Sequence, residues 1–266
     1  MNPLREMRPR LREHAALALY GRLSTESDFL QPIHHEAAGN AVIRDAVASG
    51  RPFFVTRLSA IELATTVYWQ RWRKRRTVRL PYLAHQKRLM GNLAGFFPTT
   101  GTSLDRFSEM LIEACTQADV MAISFHRDEH VIVNACCPGA RLVQIDAFHS
   151  MCYEEPWSSQ LAEKTVLVVP PFARSIESQY RERRRQLYRD PAVLPEFELK
   201  TLVPVQSSAG CATTYASWFD ALERTLEAIS GQEFDVALVG AGAYGMPIGA
   251  FVKGMGRGAV HMGGAT

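Results

Sequence analysis

The stretch Arg57-Leu58-Ser59-Ala60-Ile61-Glu62 puts a guanidinium, a hydroxyl and a carboxylate into six residues, directly after the apolar run PFFVT. A guanidinium at a strand end can clamp a diphosphate bidentately. The same residues also have a plain structural use. Ser59 and Glu62 spell S-x-x-E, a capping box in which Ser59 caps a helix and Glu62 reaches back to the Ser59 N–H. Arg57 would equally serve in an ion pair at the sheet edge, and the sequence leaves these pairs of roles open.

A second group of residues lies near the end of the chain. In FDVALVGAGAYGMPIG, Gly240, Gly242 and Gly245 have the G-x-G-x-x-G spacing of a turn that brings backbone N–H groups close to a phosphate. A dinucleotide fingerprint also needs an acid about 20 residues further on for the ribose. No Asp or Glu follows Asp235, so the glycines are weak support for NAD(P) and read better as a tight turn beside another nucleotide. In PPFARSIESQYRERRRQLY, Ser175 is placed to cap a helix and Arg174 to stand at its ligand end. Arg181, Arg183, Arg184 and Arg185 fall on later turns, where they suit the negative end of the helix dipole and a solvated face.

Three further patterns carry less weight. HRDEH, residues 126–130, matches the inverted zinc-peptidase spacing, but that chemistry needs a helix. Its neighbours DVMAISF and VIVNA look like strands, so a connecting loop is expected. YWQRWRKRRTVR, residues 68–79, mixes Trp69 and Trp72 with six basic residues. A solvated helix end anchored by tryptophans is the plain reading, and a peripheral contact with an anionic membrane is the functional one. His149, in a loop, and His261, in the last strand, are each placed for contact with a ribose or phosphate, and a partly buried structural role is the plain reading.

The elements that position these groups follow from alternation along the chain. Short β-rich runs occur at 52–56, 119–125, 141–145, 165–170, 199–205, 235–240 and 258–262, with helix-like segments near 60–72, 103–117, 173–189, 215–230 and 246–255. Alternating strands and helices imply an α/β fold: a Rossmann-like, mainly parallel sheet with helices on both faces. Ligands of such sheets bind beyond the carboxyl ends of the strands, where the turns after PFFVT, TVLVVP and DVALVG all lie. Residues 1–50 are expected to form an N-terminal helical extension and 51–266 the sheet domain.

With 266 residues, 47% of them apolar, the chain can bury a sizeable core. The net charge of +3 is too mild to name a polyanionic partner, and no nucleic acid is expected. Five cysteines without C-x-x-C spacing suggest reduced thiols in a cytoplasmic protein. Neither a signal peptide nor a membrane span is legible.

The segments PWSSQLAEKTVLVVPPFARSIESQYRERRRQLYRDPAVLPEFELKTLVPVQSSAG, WFDALE and FDVALVGAGAYGMPIGAFVKGMGRGAVHMGGAT, with FFVTRLSAIEL and GNLAGFFP, resemble a bacterial family of GT-D fold-like glycosyltransferases associated with polysaccharide biosynthesis. The resemblance covers roughly residues 50–266. It implies a nucleotide-sugar donor such as a UDP-sugar, a divalent metal, and a glycan or lipid-linked acceptor for a cytoplasmic enzyme peripheral to the inner membrane. The family's signature reads approximately R-F-G-D-G-E. Arg57 and Glu62 match its ends, whereas Ala60 stands where the first acid would be. Arg57 and Ser59 would then bind the donor with Arg174, Ser175 and the three glycines, and Glu62 would face the metal. Glu154 and Glu155, in YEEPWS, stand at another strand end facing the crevice, where one of the two would be the general base of an inverting transfer and exposed surface carboxylates are the plain reading. Family members continue beyond the final Gly263-Gly264-Ala265-Thr266, which implies a chain cut short. Two other functions compete. One is a non-catalytic nucleotide-sugar-binding or glycan-assembly module, prompted by Ala60; the other is an NAD(P) oxidoreductase, resting only on the glycine turn.

Overall fold

The structure is a computed structural model that describes residues 21–74, 80–205, 207 and 213–263. Among them, eight parallel strands form one sheet: β1 (Ile33–His34), β2 (Phe53–Arg57), β3 (Val120–Ile123), β4 (Arg141–Gln144), β5 (Thr165–Val169), β6 (Glu198–Thr201), β7 (Val236–Val239) and β8 (Gly258–His261). Their order across the sheet is β1-β4-β3-β2-β8-β7-β5-β6. The chain winds outwards from β2 through β3 to β4, then restarts at β5 and returns through β7 to β8, which closes against β2. The first and last long strands therefore lie side by side, paired from Phe53 with Gly258 to Val55 with Val260.

Successive side chains of these strands point to opposite faces, and both faces are buried. Phe54, Met121, Leu167, Ala237 and Ala259 enter one core; Phe53, Val55, Val120, Val166, Val236 and Val260 enter the other. The first core is covered by α2 (Ala60–Trp72), α3 (Ala84–Asn92), α4 (Gly101–Thr116), α5 (Glu129–Cys136), α7 (Trp218–Ser230) and α8 (Gly245–Gly254). The second is covered by α1 (Glu36–Ala48), α6 (Ala173–Leu187) and the short 3-10 turns Ile145–Phe148 and Trp157–Leu161. Helices thus cover both faces, as the alternation predicts.

Local chemistry sets several boundaries. The side-chain oxygens of Thr100 and Ser217 accept the N–H groups of Ser103 and Asp220 at 3.1 and 3.3 Å, capping α4 and α7. The chain before residue 50, expected as a helical extension, does include the helix α1. It also supplies β1, paired with β4 through Ile33 and Leu142, so from residue 33 onwards it belongs to the sheet. VIVNA, expected as a strand, lies within α5. No helix among the described residues is long and apolar enough to cross a membrane.

Candidate functional site

A cavity of about 520 Å³ opens at the carboxyl ends of the strands. Its walls are Arg57, Ser59 and Glu62 after β2, Pro171 and Phe172 after β5, Val205 and Ser207 after β6, Gly240 to Gly242 and Tyr244 after β7, and His261 and Gly263 at β8. Leu93 to Gly95, from the loop after α3, close one side. This is the place where an open parallel sheet binds its ligands. It unites Arg57, Ser59, Glu62, Gly240 and Gly242 from the expected set.

Arg57 is the cation of this cavity. Among the described residues its side chain forms no hydrogen bond or ion pair, and its Nε is buried without an acceptor. Four buried or half-buried titratable groups surround it. Burial is the chief influence on each: it raises the pKa of Glu62 and that of Glu129, the latter to about 7, and lowers that of His126 and that of His261, the latter to about 3. The guanidinium nearby lowers all four. An unpaired cation at the floor of a cavity attracts an anion, and a guanidinium is suited to a phosphate or diphosphate.

Glu62 does not close a capping box. Ser59 is the N-cap of α2, but its side chain accepts no capping hydrogen bond. The carboxylate is 6% exposed, and its Oε2 is buried without a partner. That orphan oxygen fits one coordination position of a divalent cation. The remaining positions would have to come from the ligand, because Glu62 is the one acid lining the cavity, and no group of three His, Cys, Asp or Glu able to hold a metal occurs among the described residues. Among the described residues the cavity thus holds a single carboxylate, in keeping with Ala60 in place of a second acid.

The glycine turn is tighter than its spacing requires. Gly242 takes φ +54° and a Cβ there would meet the Ala94 carbonyl at 3.4 Å, while Gly245 packs directly on the His261 imidazole. Part of the turn's backbone is already committed: the N–H of Gly240 donates to Val169 O at 3.0 Å and that of Ala243 to Ala94 O at 3.3 Å. Gly245 therefore serves packing and is not part of the lining. His261 is 5% exposed and its Nδ1 lies 3.0 Å from Thr56 Oγ1.

Other expected residues lie elsewhere. Helix α6 begins at Ala173, so Ser175 sits inside its first turn and is not its cap. Arg174 and Ser175 are both exposed and outside the cavity lining; Phe172, at the same strand end, lines it instead. Glu154 and Glu155 are exposed, and Glu155 pairs with Arg44 of α1 on the second face of the sheet. Neither reaches the cavity, because the 3-10 turns after β4 carry the chain away from it. In HRDEH, His130 turns towards Ser24 Oγ at 3.0 Å, while Glu129 accepts backbone N–H groups. The zinc-peptidase arrangement is absent. In the basic run, Tyr68, Trp69 and Arg73 are buried, Arg73 pairs with Asp105 and Arg71 with Asp128. Residues 75–79 of that run lie outside the described residues. Leu93, Phe172, Val205 and Tyr244 carry no chemical motif, and only the fold reveals them as walls.

No family model, curated protein or solved structure matches the chain.

Proposed function

We propose that the cavity binds a nucleotide diphosphate and that the protein is a transferase using a nucleotide sugar, a UDP-sugar in the first instance, as donor to a glycan or lipid-linked acceptor. The observation that carries this reading is Arg57: an unpaired guanidinium on the floor of a cavity where the ends of β2, β5, β7 and β8 converge. In this reading Arg57 holds the diphosphate, and its charge stabilises the negative charge that develops as the diphosphate departs. The glycine turn lets the donor approach backbone closely. Glu62 supplies one ligand to a Mg²⁺ or Mn²⁺ brought in with the diphosphate. Such a cation would neutralise the phosphates, and the chain's own residues bind and orient the donor and keep water from it.

Among the described residues no carboxylate besides Glu62 lines the cavity. That observation favours a second reading, in which the chain binds the nucleotide sugar without transferring it. Donor hydrolysis or transfer, measured with and without added Mn²⁺, separates the two. Turnover that requires Mn²⁺ and is lost in Glu62→Gln supports the enzyme, and donor binding without turnover supports the binding module. The absence of both binding and turnover contradicts the nucleotide-sugar reading.

A further inference from the structure

The loop between β3 and α5, residues 124–128, holds an unfavourable backbone. Phe125 and Asp128 both adopt left-handed conformations, with φ of 57° and 56°. Non-glycine residues persist there only where the surroundings over-determine them, and such strain gathers at binding and catalytic sites. The restraint comes from both sides. The fully buried Glu129 carboxylate accepts the N–H of Ser124 at 3.2 Å and that of His126 at 2.9 Å. From the other side, the N–H and Oγ of Ser24 donate to the His126 carbonyl at 3.2 and 2.8 Å.

What this loop presents is unfinished. Ser124 Oγ and His126 Nε2 are buried without hydrogen-bond partners, as are Arg57 Nε and Glu62 Oε2. Buried polar atoms are nearly always paired, so four orphans at or just after the adjoining ends of β2 and β3 call for a partner. Arg57 is registered with Ala122 across β2 and β3, so the loop leaving β3 emerges beside the turn leaving β2. Neither Ser124 nor His126 is among the residues lining the cavity, but His126 is near enough to Arg57 to feel its charge.

We propose that His126 is a further anion-binding residue of this site, its Nε2–H donating to a phosphate oxygen held by Arg57, and that Glu129 is the positioning residue that fixes the loop to put it there. This rests on the reading of the cavity as a diphosphate site. Neither residue belongs to the R-x-x-x-x-E stretch or to the glycine turn. A hydrogen bond to a charged group contributes enough to change affinity by roughly one to two orders of magnitude.

The test is calorimetric titration of the full chain with inorganic pyrophosphate and with UDP, alongside thermal melts. Expected results are that His126→Ala weakens pyrophosphate about tenfold or more with an unchanged Tm, that His126→Gln, which keeps a donor near Nε2, recovers most of the loss, and that Glu129→Gln weakens binding by a smaller factor. A purely structural His126 would lower Tm without this selective rescue, which overturns the proposal. Loss of binding in Arg57→Ala with wild-type affinity in His126→Ala overturns it while sparing the diphosphate site. Wild-type protein that binds neither probe overturns both.

Discussion

Glu129 makes a sharp test of the polar interior behind the cavity. Its carboxyl is fully buried, and burial pushes its pKa from 4.5 up to about 7 against the opposing pull of the Ser124 and His126 N–H groups and Arg57. The folded state therefore keeps the proton to higher pH than the unfolded chain does. The stability this confers is complete below pH 4.5, where both states are protonated, and is lost as pH rises to about 7. At about 1.4 kcal/mol per pH unit, the loss over that window is about 3 kcal/mol. Glu129→Gln keeps an oxygen acceptor for the loop and cannot ionise. Whatever its fixed cost, the difference in unfolding free energy between variant and wild type should move by about 3 kcal/mol in the variant's favour between pH 4 and pH 8. Urea unfolding of both proteins across that range measures it. A difference that stays constant with pH would show that the folded carboxyl titrates normally. A move in the wild type's favour would show a net stabilising ion pair with Arg57, and either result refutes the reasoning.

Other predictions follow from individual contacts. Gly245→Ala puts a methyl group against the buried His261 ring; overpacking costs about 1–3 kcal/mol and outweighs a helix-propensity gain of up to about 1 kcal/mol, so Tm should fall by a few degrees. A higher Tm would mean that the ring yields freely. His261 is held neutral by burial, its pKa pushed down to about 3 from 6.5. The unfolded chain takes up that proton near pH 6.5 and the folded chain does not, so this residue destabilises the fold as pH drops towards 3. His261→Asn should flatten that acid limb in unfolding titrations. Glu62→Gln should be as stable as wild type at pH 7 or more so, because burial disfavours the charged carboxylate and its Oε2 has no partner; a marked fall in Tm would restore a structural role to Glu62.

Much of the framework was legible because parallel strands buried on both faces read as short apolar runs. All seven expected strands occur, and Ala60–Trp72 matches its expected span. The elements that escaped have weak local signals. Ile33–His34 is two residues long and is a strand only through its pairing with β4. Val131, Ile132 and Val133 favour a strand intrinsically, yet Glu129 folds back onto the end of β3 and starts a helix. In the site, Arg57 and Glu62 stood out because their types and spacing are chemical. Their contacts did not: only the structure shows that the Ser59 side chain makes no capping bond and that Glu62 Oε2 is left without a partner. The strand-end rule failed for Glu154 and Glu155, because the chain after β4 runs through 3-10 turns to the face of α1, where Arg44 takes Glu155. Walls such as Leu93 and Tyr244 have no chemical signature, and long-range topology alone brings them to the cavity.

The central claim is that Arg57 anchors a nucleotide diphosphate, and a thermal-shift comparison of UDP-sugars with NADH tests it most directly, on wild type and Arg57→Ala with and without Mn²⁺. A ligand at 100 times its Kd adds about 2.7 kcal/mol, or roughly 5–10 °C for a chain of this size. The account predicts such a rise with UDP-sugars in the wild type, none in Arg57→Ala, and none with NADH in either. Protection by NADH, or equal protection of both proteins by UDP-sugars, would contradict it.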